Sequence, residues 1–504
     1  MHPIILSALS ISAVWFVLKI FLQRKGSRKS RPSGPTPLPI IGNAHQMPKN
    51  QPWMVFSAWN KTYGGIVRLD IFGQPVVVIN SSKVAKDLLD KRSAIYSGRP
   101  VSIMAGELVG FGEVFAMMPC GSRFRNQRRM VSQGFKPPNY HNIQEKEAAA
   151  LVHSVFSSPG SLFSEVPLRI GTIILKVVYG YSVKSTTDKM LVDTIEMMKI
   201  FNRTTSAGAY LVDSLPFLRY LPLWMPGSGF LGRAATWRAH VERASQNPYI
   251  WSKSNPGNGT TQIPNMCGTV LQKAEGELCA DDQVDLQWAA TAMFGGGLDT
   301  STSAILSFFM AMILHPDVQI KAHAEIDAAI GTNRLPRIQD RPQLPYIRSI
   351  VSEVLRWAPP GPLAVAHALS DDDVYEDCHF KKGTIVFPNI WHMLHDPELY
   401  ASPMEFIPER FNEDDAEMAK VSDLAFGFGR RSCPGKNFAE ITLFAVVSTV
   451  LATCHILPGV DECGAKVMPK YAYTTGTVSF PEAFYLNLQP RSAQSFALIS
   501  EAMC

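Results

Sequence analysis

Residues 426–440 read Phe-Gly-Phe-Gly-Arg-Arg-Ser-Cys-Pro-Gly-Lys-Asn-Phe-Ala-Glu and constrain this chain more than any other segment. One cysteine, Cys433, stands among glycines at 427, 429 and 435 and beside Pro434, and a helical pattern begins just after it. Glycine permits positive φ and close backbone approach. Proline suits the first position of a helix. Amides at a helix N-terminus favour negative charge on sulfur. The segment therefore either offers one thiolate to a flat, metal-bearing ligand or holds a structural cysteine in a tight turn.

The rest of the chain can support such a site. At 504 residues and 46% hydrophobic it can bury a large core. Length alone suggests about three domains, but past residue 50 there is no low-complexity linker and no repeat. One large body is expected. A net charge of +5 is too slight for a nucleic-acid partner. The eight cysteines (120, 267, 279, 378, 433, 454, 463 and 504) lack the paired spacing of a disulfide scaffold or zinc site, which points to a reduced, cytosol-facing domain. Glycosylation sequons begin at Asn60, Asn80, Asn202 and Asn258 and would go unused there.

Residues 3–22 form an apolar run of about the length that spans a bilayer. Arg24, Lys25, Arg28, Lys29 and Arg31 follow, and no acid precedes Asp70. Positive charge after the apolar run favours a retained anchor with a cytosolic body over a cleaved signal peptide. Pro32, Pro35, Pro37 and Pro39 then predict a stiff strut or a generic linker. The expected division is an anchor over 1–23, a basic, proline-rich hinge over 24–43 and a catalytic body over 44–504.

Ile66–Asn80, interrupted by Phe72-Gly73-Gln74-Pro75, predicts a β-hairpin. Helical periodicity dominates 140–330, and short Val/Thr/Phe segments near 364–388 and 474–488 suggest minor sheet. Asp285–Pro316 predicts a helix of about 45 Å, at about 1.5 Å per residue. Asp299 and Gly295-Gly296-Gly297 argue against its crossing a membrane and for a buried central helix. Leu344–Trp357 predicts another helix, with Ile347, Ile350, Val351, Val354 and Leu355 in one stripe and Glu353 and Arg356 about opposite. Alone, that pair would be an ordinary solvated ion pair.

The spacing of Phe426, Gly429, Arg431, Cys433 and Gly435 resembles the haem-binding loop of the cytochrome P-450 family. The resemblance implies a mostly α fold with minor β, a single large haem domain behind a transmembrane helix. It implies Cys433 as proximal ligand to the iron of haem b, its thiolate donating electron density that favours O–O cleavage. Pro408-Glu409-Arg410-Phe411 then implies a buried structural triad of Glu353, Arg356 and Arg410. Gly296 to Ser301 resembles the family's oxygen-activating stretch. It implies a local loosening of the helix, with Thr300 as hydrogen-bond donor to dioxygen and Asp299 as feeder of protons. Close helix packing through small residues is the alternative.

Arg123 to Arg129 carries four arginines and resembles the helix that binds a haem propionate, with Phe124 where the family has tryptophan and Arg128 at the arginine position. The substitution removes an indole donor. Arg431 and His367 are further expected propionate partners, although Ala366 replaces a proline common before that histidine. Arg123, Arg125 and Arg129 could instead form a solvated face, or steer an acidic reductase beside Lys436. Family position places Phe294, Leu363, Ala364, Val365, Thr477 and Val478 around the substrate. The functional expectation is a monooxygenase at the endoplasmic reticulum membrane, drawing electrons from NADPH through cytochrome P-450 reductase. It would oxidise a lipophilic small molecule with O2, and similarity to fungal enzymes of secondary metabolism suggests a terpenoid. A haem-thiolate isomerase or peroxygenase would need Cys433 without the Asp299–Thr300 pair. A non-enzymatic haem protein would lack an oxygen-activation groove.

Overall fold

The structure is a computed structural model describing residues 32–502, apart from 207, 256–263, 275–277 and 462. The helices that frame its central cavity are α1 (Ser122–Gly134), α2 (His141–Ser157), α3 (Leu162–Tyr179), α4 (Lys189–Thr205), α5 (Ala280–Leu314), α6 (Pro345–Trp357) and α7 (Lys436–Thr453).

Helix α5 sets the layout. Asp281 and Asp282 in its first turn complement the helix dipole, and the Cys279 sulfur accepts from the Asp282 amide. It ends at Leu314, two residues before Pro316, where the residue before a proline leaves the helical region. Both α5 and α7 are long and apolar enough to cross a membrane, but 78% and 72% of their most apolar windows are buried inside the body. They are core helices. Helix α5 packs most extensively on α3, and also on α1, α4 and α7.

The three glycines of α5 divide between packing and cavity. A Cβ on Gly295 would lie 2.6 Å from the Met198 sulfur, and one on Gly297 would lie 2.8 Å from Ile174 Cδ1. Those two positions let α4 and α3 close in. Gly296 meets nothing within 4 Å. The helix stays α-helical through all three, so the loosening anticipated from the sequence does not occur as a break. Neighbouring helices hold the weak formers in register.

The predicted hairpin forms as β1 (Ile66–Ile71) and β2 (Gln74–Ile79), with Phe72 and Gly73 at φ of 51° and 85°. Two successive positive φ values suit the twist of the hairpin. Four short strands follow: β3 (His367–Ala368), β4 (Asp373–Tyr375), β5 (Cys378–Phe380) and β6 (Ile385–Pro388). The main sheet runs β1-β2-β6-β3, with β2 and β6 parallel. A second sheet pairs β4 with β5, and a third joins β7 (Cys454–Val460), β8 (Lys466–Val467) and β9 (Leu486–Pro490). Within 474–488 only the end is strand; residues 474–480 form a loop closed by a Tyr473–Pro481 bridge.

The described part of the hinge docks on β1 instead of standing free. The Arg68 amide donates to the Ser33 carbonyl at 2.9 Å, and Gly42 bridges to Ile71. The expected anchor lies outside the described residues. Among the sequons, Asn80 is fully buried and donates to the Phe56 carbonyl, whereas Asn258 lies outside the described residues. The seven described cysteines are free.

Candidate active site

The cysteine loop is shaped by its first two glycines. Gly427 and Gly429 have φ of +77° and +50°, and a Cβ on Gly429 would fall 2.4 Å from the Leu89 carbonyl oxygen. Gly435 needs neither freedom: its φ is −93° and it caps α7. Pro434 lies outside the helix, so it does not occupy the first helical position expected of it. The Cys433 amide donates to the Phe426 carbonyl at 2.8 Å, which folds the thiol back over the loop. Burial pushes the Cys433 thiol up; the amides of Gly435 and Lys436 and the charges of Arg128 and Lys436 oppose it. Sulfur is therefore surrounded by protein yet open to one cavity. A bound cation would complete what the amides begin and hold it as thiolate.

Arg99, Arg128, Arg431 and His367 line the same cavity as Cys433. Arg431 donates to the carbonyls of Ser97, Phe115 and Met118, and Arg99 to those of Ala116, Val365 and Ala366. Arg128 donates to the Ser432 carbonyl at 2.9 Å. Among the described residues no carboxylate pairs with any of the three, and burial lowers the pKa of each. His367 Nδ1 lies 2.8 Å from the Tyr96 carbonyl and so must be its donor. Burial and the neighbouring Arg99 push its pKa down to about 3. The neutral ring is left with Nε2 as an acceptor.

Three half-buried guanidiniums without a carboxylate partner among the described residues call for an anionic ligand with more than one carboxylate. A lone thiol in the same chamber calls for a soft metal centre. Haem, with two propionates and one iron, meets both demands, so the residues present fit it. Phe124 answers the missing indole differently: its ring lies 4.2 Å from the Arg431 guanidinium, holding that arginine by a cation–π contact.

Behind the loop, Glu353 and Arg356 are both completely buried, which a solvated pair would not be. The Glu353 carboxylate accepts from Arg356 Nε and Nη2 at 2.7 and 2.8 Å, from Arg410 Nε at 3.1 Å and from the Ile407 amide at 2.8 Å. Arg356 in turn donates to the carbonyls of Leu394, Pro403 and Glu405. The three residues thus knit α6 to the segment that leads into the cysteine loop.

A family model described as Cytochrome P450 matches residues 32–470. This chain belongs to the cytochrome P-450 family. It is 48% identical to cytochrome P450 monooxygenase 105 of Postia placenta over 504 residues, covering 98% of this chain and 96% of that protein. Cytochrome P450 monooxygenase claR of Ampulloclitocybe clavipes is 39% identical over 94% of this chain and 88% of its own. A zebrafish cytochrome P450 solved with abiraterone shares the fold at a TM-score of 0.71 and 23% identity, across 88% of this chain and all of that one. The protein is a cytochrome P-450 monooxygenase, and the family implies haem ligated by a cysteine thiolate.

Thr300, Ala364, Val365, Thr477 and Val478 line the wall of this P-450 cavity, as do Phe426 and Gly435. Phe294 and Leu363, expected there, are not on the wall. Phe294 is buried in the main core, one position from the lining Met293 and Gly295, and Leu363 belongs to a separate cluster with Trp391 and β2. For Phe294 the reason is helical phase, since one residue turns a helix by about 100°; Leu363 lies in a turn. Asp299 is likewise one residue off the wall. The Thr300 hydroxyl donates to the Gly296 carbonyl at 2.6 Å. Its only proton is spent, so Thr300 offers lone pairs to the cavity and acts as acceptor, not as the donor expected from sequence. Burial pushes the Asp299 carboxyl up to about 7, against the pull of Lys199.

The arginine-rich helix is only partly free for a partner. Arg123 is held by Glu113 at 2.8 Å and by the buried Asp285 at 2.9 Å, and Arg129 donates to Asn126. That removes Arg123 from the expected docking face, because a salt-bridged guanidinium must break two ion pairs to serve elsewhere. Sequence reasoning missed Arg99. Its signal was weak: one arginine before Pro100, in a loop without periodicity. Arg99→Met should release bound haem about tenfold faster or more, as a charge-assisted contact is lost, while Arg99→Lys should recover part of it. Transfer of haem to an apo-globin acceptor measures the rate.

Proposed function

We propose that this P-450 enzyme inserts one atom of O2 into an uncharged, lipophilic small molecule of terpenoid type. Its electrons come from NADPH through a reductase at the endoplasmic reticulum membrane. The observation that carries the reading is the cavity lining. Cys433 and the three arginines share a mostly apolar lining, which among the described residues contains no carboxylate, lysine, amide or tyrosine. A charged substrate would enter such a chamber unpaired, at a cost of several kcal/mol or more. An apolar skeleton gains about 25 cal/mol per Å² of surface it buries.

Haem, when bound, supplies the electron-accepting and oxygen-activating chemistry. Cys433 would hold its iron, and Arg99, Arg128 and Arg431 its propionates. Phe111, Phe201, Met197 and Met198 add apolar surface to the lining. Thr300 holds a protonated guest by accepting its hydrogen bond. Asp299, with a pKa near neutrality, can pass protons from solvent toward that hydroxyl. A membrane setting is supported by Phe217, Tyr220, Leu223 and Trp224, which are 62–80% exposed in one short segment and suit an interfacial contact. The basic run after the expected anchor supports a cytosolic body.

The test is coupling. Thr300→Ala should keep haem and NADPH consumption but lower product per NADPH about tenfold or more, the balance appearing as hydrogen peroxide. Asp299 is a proton donor below about pH 7 and a carboxylate above it. Turnover limited by proton supply should fall as pH rises through about 7, and Asp299→Asn should flatten that limb. If Thr300→Ala loses stability yet keeps its coupling ratio, both residues only pack α5 and the oxygen-handling role fails.

A further inference from the structure

One end of the chamber has a hydroxyl whose proton is already committed. On α4, Thr205 Oγ1 donates to the Phe201 carbonyl at 2.8 Å, four residues back. The same oxygen lies 2.8 Å from Thr477 Oγ1. Thr205 has one proton, so Thr477 must be the donor between them, and the chain runs Thr477 to Thr205 to Phe201. Thr477 lines the cavity; Thr205 does not. What Thr477 presents to a bound molecule is therefore lone pairs alone.

The position is held rigidly. The Asn202 amide accepts from the Val478 N–H at 3.1 Å and donates to the Val478 carbonyl at 3.0 Å, clipping the loop to α4. A Cβ on Gly476 would lie 2.7 Å from Asn202 Oδ1, so only glycine lets the clip close. Ser303 donates to the Ser479 carbonyl at 2.6 Å, and the Ser479 amide donates to Pro360. An acceptor fixed this firmly in an apolar wall discriminates between ligands, because the wrong partner leaves it unpaired. The clip also engages the Asn202 side chain, so the folded protein cannot carry a glycan there.

We propose that Thr477 selects a substrate that already bears a hydroxyl group, accepting its O–H and thereby fixing which part of the skeleton faces the haem side. This deepens the monooxygenase reading and rests on it. It narrows the substrate class from any lipophile to an apolar alcohol, and it names Thr477 as the residue that orients it and Thr205 as the positioning residue that sets its polarity.

The test is equilibrium dialysis of the haem-loaded full chain in phospholipid against three probes: a decalin alcohol, its methyl ether and the matching decalone. The wild type should bind the alcohol about five- to tenfold more tightly than the ether. Thr477→Val keeps the shape and should abolish the difference; Thr477→Ser should retain it. Thr205→Val takes away the acceptor for the Thr477 proton. Thr477 can then donate, and decalone binding should tighten about fivefold, a change that a purely steric role would not cause. Equal binding of alcohol and ether by the wild type, a preference that survives Thr477→Val, or unchanged decalone binding in Thr205→Val would each overturn the proposal. No reductase or NADPH is present, so the result is separate from that of the coupling assay.

Discussion

Glu353→Gln should leave little folded, haem-loaded protein. The substitution keeps the size of the side chain but removes the one carboxylate that, among the described residues, pairs with the completely buried Arg356. Breaking a buried pair by removing one partner costs about 3–5 kcal/mol, against a total stability of about 5–15 kcal/mol for a typical protein. The damage spreads beyond the pair, because Arg356 also binds the carbonyls of Leu394, Pro403 and Glu405. Replacing both partners by apolar residues often restores stability elsewhere. Here the double variant Glu353→Leu/Arg356→Met should fail as well, since it would orphan those carbonyls and the Ile407 amide. Haem content per protein and the thermal midpoint measure the outcome. Wild-type values for Glu353→Gln would mean that the network contributes little to the proximal core.

Much of this was legible in the sequence, for reasons that differ by element. The cysteine loop could be read because glycines at positive φ and a thiol at a helix N-terminus leave a dense local pattern. The hairpin could be read because a Val- and Ile-rich run is broken by Phe72-Gly73-Gln74-Pro75, and α6 because its 3.6-residue apolar stripe is clean. The burial of Glu353 could not be read from α6 alone: the charged face turns inward only because the segment around Arg410 covers it. Strand β7 was hidden because Cys454 follows Thr453 of α7 without a break in apolar character. Phe294 and Leu363 were each misplaced by a single residue; helical phase corrects the first, whereas Leu363 lies in a turn and points into the cluster of Trp391 and β2. Hydroxyl polarity was the least legible. That Thr300 and Thr477 both face the cavity as acceptors depends on where each proton goes: to a carbonyl four residues back for Thr300, and across space to Thr205 of α4 for Thr477.

Cys433→Ser changes one atom at the centre of the account. The hydroxyl of serine is a far poorer anion than thiolate at neutral pH, and the neighbouring Cys120, which meets Arg431, does not line the cavity: among the described residues Cys433 is the only cysteine on its wall. The most direct measurement is the absorption spectrum of the ferrous carbon monoxide complex of the full chain, wild type against Cys433→Ser. The wild type should show the strongly red-shifted Soret band of thiolate ligation, and the variant, even where the arginines still retain haem, should lose it. Survival of that band in Cys433→Ser would contradict the assignment of Cys433 as the iron ligand, and with it the site built around it.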